Sequence, residues 1–336
     1  MTREAPAPVR EISAEGWRDA AARESCEPFV VRGLCREWPC VGGTGRPLEW
    51  WTHYLSGADS GRPAQCFVAA PETEGRYFYG DNLAGFNFAR ETMPLSAAIE
   101  RIGRCADDPA QGTFYVGSVP VADHLAGFAR DNAVEGLPDG VEPRIWLGNR
   151  SHVSCHFDTF DNLACVVAGR RRFTLYPPAL IADLYVGPID HTMAGQPVSL
   201  AASSRPGDPR YPRFDAVRGR ALQAELAPGD ALYLPKLWWH EVEATGAFNV
   251  LVNYWWDAFR QGPDAPFTAM MLALLAIAER PGAERAAWRA FFDHYVFRPE
   301  GHPLRHLPES QHGILGTLDR DTRARLRAMV MKQLRG

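Results

Sequence analysis

Between Phe114 and Trp256 the chain is a succession of short runs rich in Val, Tyr, Phe and Trp: TFYVG, RIWLG, VSCHFD, LACVVAG, RRFTLYP, ALYLP and FNVLVNYWW. Gly and Pro punctuate them. Runs of this length and composition predict an antiparallel sandwich or barrel. One stretch breaks the rhythm, the Pro/Gly/Arg-rich segment from about 187 to 220. A connection that long inside a compact domain is usually functional, as a lid or binding loop.

The flanks read differently. Residues 13–25 open with a serine cap and predict a short helix, PFVVRGL (28–34) a strand ending on a turn glycine, and LEWWTHYL a helix. Short aromatic strands are expected from Gln65 to Arg90, and SAAIERIG (96–103) reads as helical. After Trp256 the pattern is helical throughout: FTAMMLALLAIAER is apolar almost all round, and Leu326, Met329, Val330 and Leu334 recur at helical spacing near the end. The expected organisation is mainly β. An α/β N-terminal extension covers 1–112, a barrel 113–258, and a helical C-terminal region 259–336 makes a homodimer reasonable.

Bulk properties exclude several classes. A net charge of −4 and a pI near 6.2 argue against a nucleic-acid partner held by a basic face. The first residues carry no apolar signal core, and the longest apolar stretch, 267–278, is too short to cross a bilayer. The 7 cysteines form no CxxC pair, which suggests reduced thiols in a cytoplasmic protein. Lysine occurs only at Lys236 and Lys332, so the basic charge is almost all arginine.

The chemistry concentrates in SCHFDTFDN. His156 and Asp158 lie two residues apart, which on a strand puts both on one face. For such a pair alone, a satisfied buried couple is the commoner reading. The segment PGDALYLPKLWWHEVE shifts the balance: a Pro-Gly-Asp turn launches a strand that ends on His240, and a barrel can bring it to the first two. Together they make the 2-His-1-carboxylate facial triad of iron(II) oxygenases. His152 reads as a rim residue, His191 and Lys236 as solvated. Trp238, Trp239 and Trp256 read as core or wall, and Trp255 as the tryptophan best placed to line a pocket.

HFDTFDNLACVVAGRRRFTLYPP, PGDALYLPKLWWHEVEA and NVLVNYWW closely resemble the cupin-like JmjC-domain family of Fe(II)- and 2-oxoglutarate-dependent oxygenases, the family of the asparaginyl hydroxylase factor inhibiting hypoxia-inducible factor. The likeness covers roughly Phe114 to Trp256, and PFVVRGLCREWP resembles the family's lead-in. It implies a double-stranded β-helix, the jelly-roll barrel of cupins, and hydroxylation of an amino-acid side chain in a protein or peptide. It also implies 2-oxoglutarate as cosubstrate, held by Arg171 where relatives usually carry lysine, with Tyr115, Asn162 and Asn253 lining its pocket. Buried amides in apolar runs need partners, which independently favours function for the two asparagines, whereas Tyr115 reads equally well as core. Val153 stands where relatives often carry threonine, and Ser154 substitutes only in part. Rival readings are a methyl-lysine or small-molecule substrate, a cupin-type metalloenzyme that does not use 2-oxoglutarate, and a non-catalytic binding barrel.

Overall fold

The computed structural model describes residues 6–19, 23–259 and 262–335. The chain divides into two compact units, 1–258 and 259–336.

In the first unit, seven strands precede the ligand segment: β1 (Ala7–Pro8), β2 (Glu11–Ile12), β3 (Phe29–Val31), β4 (Pro63–Ala69), β5 (Arg76–Tyr77), β6 (Phe88–Pro94) and β7 (Thr113–Pro120). Eight more follow: β8 (Pro143–Gly148), β9 (Ser151–His156), β10 (Asp161–Ala168), β11 (Arg171–Tyr176), β12 (Leu222–Leu226), β13 (Ala231–Leu234), β14 (Trp239–Ala244) and β15 (Asn249–Trp256). They form a nine-stranded sheet in the order β2-β3-β13-β10-β15-β8-β7-β4-β6 and a six-stranded sheet in the order β1-β12-β11-β14-β9-β5. From β8 to β15 the chain alternates between the sheets, apart from the β11–β12 step within the smaller one. That winding is the double-stranded β-helix of a cupin jelly roll, and the fold is mainly β as the strand rhythm predicts.

Burial follows from strand alternation. Val166, Phe173, Leu175, Leu226, Leu232 and Leu251 meet between the sheets. On the outer face of the larger sheet, Leu163, Val252 and Phe114 pack against Trp51 and Leu55 of the helix Leu48–Ser56 and Ile99 and Ile102 of the helix Leu95–Asp107. On the outer face of the smaller sheet, Cys155, Tyr176 and Trp239 pack beneath Leu180, Leu184 and Phe214, which precede β12. The 187–220 segment thus covers a sheet face. It contains the helix Pro212–Val217, and Val198 bridges to His156 itself.

Several boundaries differ from the sequence reading. The first helix spans Ala14–Arg18, with Ser13 accepting from the Gly16 N–H as expected of a cap; residues 20–22 of the expected helix lie outside the described residues. β12 (LQAEL) was hidden by its polar alternation. The strand after the Pro-Gly-Asp turn does not end on His240. It stops at Leu234, because Pro235 offers no N–H and Leu237 adopts φ +69°, and His240 belongs to the next strand in the other sheet.

The second unit holds the helices Pro266–Ile277, Gly282–Phe292 and Arg320–Leu334 and the π-helical turn Asp293–Phe297. Asp319 caps the last helix by accepting from the Thr322 N–H. No helix of the described residues is long and apolar enough to cross a membrane.

Candidate metal centre

β9 and β14 pair antiparallel, with His240 opposite His156 and Val242 opposite Val153. The span from Val153 to His156 holds one residue more than the span from His240 to Val242. This is a β-bulge, and it has a steric consequence: both Val153 and His156 face the barrel interior, which strict alternation forbids. Cys155 turns out into the apolar cluster under the 187–220 segment, and Ser154 donates its hydroxyl to Tyr77 O at 2.6 Å. His152, further back, also faces outward and meets Glu241 at 3.2 Å. It is a partner of Glu241 on the outer face.

Asp158 is not on the strand. β9 ends at His156, and the carboxylate stands in the loop before β10. Same-face strand geometry therefore does not explain its placement. The turn before β14 does: the Leu237 N–H donates to Asp158 O at 2.8 Å and the Lys236 N–H to Asp161 Oδ1 at 3.3 Å. The loop that carries Asp158 and the turn that delivers His240 are thus stitched together. Lys236, expected to be solvated, pairs with Asp257 and Asp161.

One donor atom from each of His156, Asp158 and His240 falls within 4.8 Å of the others. The imidazole rings are 4.3 Å apart, and His240 Nε2 lies 3.8 Å from Asp158 Oδ2. Each ring is oriented by its own backbone: His156 Nδ1 sits 2.8 Å from Ser154 O and His240 Nδ1 3.0 Å from Trp238 O. A carbonyl can only accept, so Nδ1 carries the proton and Nε2 presents its lone pair to the third group. Burial, and then the neighbouring His156, push His240 well below the ordinary imidazole range, so it is neutral, as a ligand must be. Burial raises Asp158, while His156 and the facing Trp255 indole N–H pull it down. Two imidazole nitrogens and one half-buried carboxylate on one side of a point make a donor set for a divalent transition metal with open positions.

Deeper in the barrel lies Arg171. Its Cα pairs with Ala244, and Leu175 pairs with His240, so the arginine shares that inward face about 13 Å further along the strand. The side chain is only 3% exposed, and Nε and Nη2 are buried without a hydrogen-bond partner among the described residues. Burial draws the guanidinium below its usual value, with the Tyr115 phenol beside it opposing. Burial likewise pushes Tyr115 up to about 12, so its hydroxyl keeps its proton. Two orphaned donors on a buried cation require an anionic acceptor. Above them, the Trp146 indole N–H donates to Asn253 Oδ1 at 2.6 Å and Asn253 Nδ2 to Asn162 Oδ1 at 3.0 Å. The sequence singled out both asparagines but not Trp146, whose signal was only its place in RIWLG.

His191 is also not what the sequence suggested. It is half-buried and packs against Tyr79 (5.6 Å) and Phe86 (5.0 Å), which are themselves 5.9 Å apart, with Nε2 buried and unpartnered among the described residues. Trp238, Trp239 and Trp256 are core, as expected.

The description of the cupin-like domain fits residues 17–262. The human bifunctional peptidase and (3S)-lysyl hydroxylase JMJD7 is 26% identical over 264 residues, covering 68% of this chain and 77% of that protein. HSPB1-associated protein 1 of Bos taurus is 31% identical over 160 residues, 45% of this chain and 32% of that protein. Lysine-specific demethylase JMJ31 of Arabidopsis thaliana is 32% identical over 115 residues, 34% of this chain and 20% of that protein. Over these last two the match spans a third or less of the relative's length. With its jelly roll and its His-Asp-His cluster, the chain belongs to the cupin-like, JmjC-type family.

Proposed function

We propose that the protein is an Fe(II)- and 2-oxoglutarate-dependent oxygenase that hydroxylates an amino-acid side chain of a protein or peptide. The observation that carries this reading is the pairing of two features in one barrel: three convergent metal donors and, deeper in, a buried arginine with two free N–H donors. His156 Nε2, His240 Nε2 and an Asp158 oxygen would hold the iron. Arg171 would grip the far carboxylate of 2-oxoglutarate through two parallel hydrogen bonds, which a guanidinium provides and a lysine does not. Tyr115 adds a protonated hydroxyl beside it. Asn162 and Asn253, locked to each other and to Trp146, set the polar wall, and Trp255 closes the side next to Asp158. When bound, iron and 2-oxoglutarate supply O2-dependent oxidation of a C–H bond; the protein orients that bond and excludes water.

The similarity to a protein named as a lysyl hydroxylase supports a polypeptide substrate. A small molecule in its place is a variant of the same chemistry. A second reading, a cupin-type metalloenzyme without 2-oxoglutarate, draws on Val153 and on the Ser154 hydroxyl being spent on Tyr77 O. We also infer that the C-terminal unit pairs two copies of the chain, and that seven free cysteines suit a reducing compartment such as the cytoplasm.

The test is anaerobic reconstitution with Fe(II), followed by metal analysis and succinate measurement. Wild type is expected to hold one iron per chain and to form succinate from 2-oxoglutarate, and Asp158→Ala to do neither. Equal iron in both proteins would remove the triad; iron without any 2-oxoglutarate binding would favour the second reading.

A further inference from the structure

At the mouth of the barrel an arginine is built in without a counter-charge. Arg144 lies on β8 opposite Asn253, so it shares the inward face with Trp146, Asn253 and Trp255. Its guanidinium carbon stands 5.8 Å from the centre of the Trp255 ring, whose buried indole N–H has no hydrogen-bond partner among the described residues and draws the nearby Asp158 carboxyl down. Arg144 is therefore one indole away from the metal donors.

It is also fixed there. Nε donates to Ser118 Oγ at 2.5 Å and Nη2 to Ser118 O at 2.6 Å. Ser118 meets both bonds in a left-handed conformation, φ +53°, within an irregularity of the β7–β8 pairing. Such a conformation is sterically costly in a residue with a Cβ. Strained backbone holding a cation beside a reaction centre is a feature that folding alone does not explain.

Elsewhere in this chain, arginines gripped by two or more side-chain bonds have a carboxylate: Arg32 has Glu11 and Asp230, Arg210 has Asp208, Arg327 has Asp264. Arg144 has only neutral oxygens. Burial draws it below its usual value, and the acid that opposes this, Asp123, is already paired with Arg62 at 3.2 Å. Nη1 is left without a hydrogen bond among the described residues, on a half-buried cation held in place beside Trp255.

We propose that Arg144 is a specificity-determining residue that reads a carboxylate on the substrate, an Asp or Glu side chain of a polypeptide close to the residue that reacts. This deepens the oxygenase reading and rests on it for the location of the reacting group. Ser118 is the positioning residue: it sets the guanidinium over Trp255 and leaves Nη1 for the ligand. A charge-assisted bond in a partly dry site discriminates a carboxylate from its amide by about tenfold or more.

The probes are two randomised dodecapeptide pools, one with Glu fixed at alternate positions and the other with Gln there. They are captured at low salt on the full-length protein and quantified by mass spectrometry. Wild type is expected to retain the Glu pool at least tenfold over the Gln pool. Arg144→Gln is expected to erase that preference and Arg144→Lys to keep part of it, while calorimetric 2-oxoglutarate binding and iron content stay unchanged in both. Equal retention of the pools by wild type overturns the proposal and needs no variant to fold. A preference that survives in Arg144→Gln overturns it by assigning the reading to another cation. Loss of 2-oxoglutarate binding in Arg144→Gln overturns it by moving the arginine into the cosubstrate grip. Free glutamate competing as well as the Glu pool overturns the polypeptide source of the carboxylate and leaves a small acid. A protein that holds no iron yet still selects the Glu pool separates failure of the oxygenase reading from failure of this one.

Discussion

Arg171 is buried to 3% exposure with Nε and Nη2 unpaired, and that arrangement is tolerable only if a ligand completes it. Arg171→Met keeps the volume of the stem and removes both donors. Affinity for 2-oxoglutarate is expected to fall by about 10- to 100-fold, in line with roughly 1.5–3 kcal/mol for a hydrogen bond to a charged group. Iron content should be retained, since the arginine sits about 13 Å along the strand from the ligand position. Calorimetry with the metal-loaded protein checks this, and unchanged affinity would remove Arg171 from the pocket. His240 carries a pH dependence of its own. Its pKa is depressed in the folded chain, so below about pH 6.5 the unfolded state takes up a proton that the folded state refuses. Metal-free protein is thus expected to lose stability as pH falls below about 6.5, by up to about 1.4 kcal/mol per pH unit from this group. Asp158, raised by burial, works with the opposite sign, losing its contribution as pH rises through its raised value. Urea unfolding of wild type and His240→Gln between pH 7 and 5 isolates the histidine: the variant should show the shallower slope. At this scale the sequence was informative about identity, because few residue types can ligate iron or hold a carboxylate. It misread His191 as solvated and was silent about Arg144, because the surroundings of both come from rings and oxygens supplied by distant strands.

Among the elements, the β9 bulge decides whether there is a site at all. Period-two alternation would send His156 to the same side as Ser154 and away from Val153; the extra residue re-aims it. No pattern in SHVSCHFD announces that insertion, so the strand was legible and its facing was not. The same holds for His240. The motif PGDALYLPKLWWH was read as one strand because its apolar residues run on without a polar break, whereas the Pro235 ring and the left-handed Leu237 divide it between two sheets. Deleting Ser154 tests the bulge directly. The deletion leaves Val153 and His156 two positions apart, so regular alternation keeps both facing the interior without a bulge. The expected outcome is retained Co(II) binding, read from its visible absorption, in a protein whose far-ultraviolet circular dichroism still reports the β-sheets. Loss of Co(II) binding by the folded deletion variant would show that the bulge does more than set the facing of His156.

At the level of the whole molecule, the strand rhythm between Phe114 and Trp256 sufficed for the jelly roll, since seven short runs with turn residues between them have few other ways to bury their faces. The second unit shows the opposite situation. Its helices were legible from periodicity, yet periodicity does not say what covers them. Leu275 is 81% exposed, Phe297 70%, Val296 61% and Phe291 57%. Large apolar residues this exposed on a small helical unit mark an interaction surface. We infer that a second copy of the chain covers them, because an isologous contact buries the same residues twice. Light scattering on size-exclusion eluates is expected to give a mass near twice 37.3 kDa. Leu275→Asp combined with Phe297→Asp would place two desolvated carboxylates at each side of that contact and should shift the protein to monomer at micromolar concentration. Iron content per chain should not change, because the ligands all lie within 1–258. A wild type that elutes as a monomer would remove the dimer, and a double variant that remains dimeric would move the contact to another face.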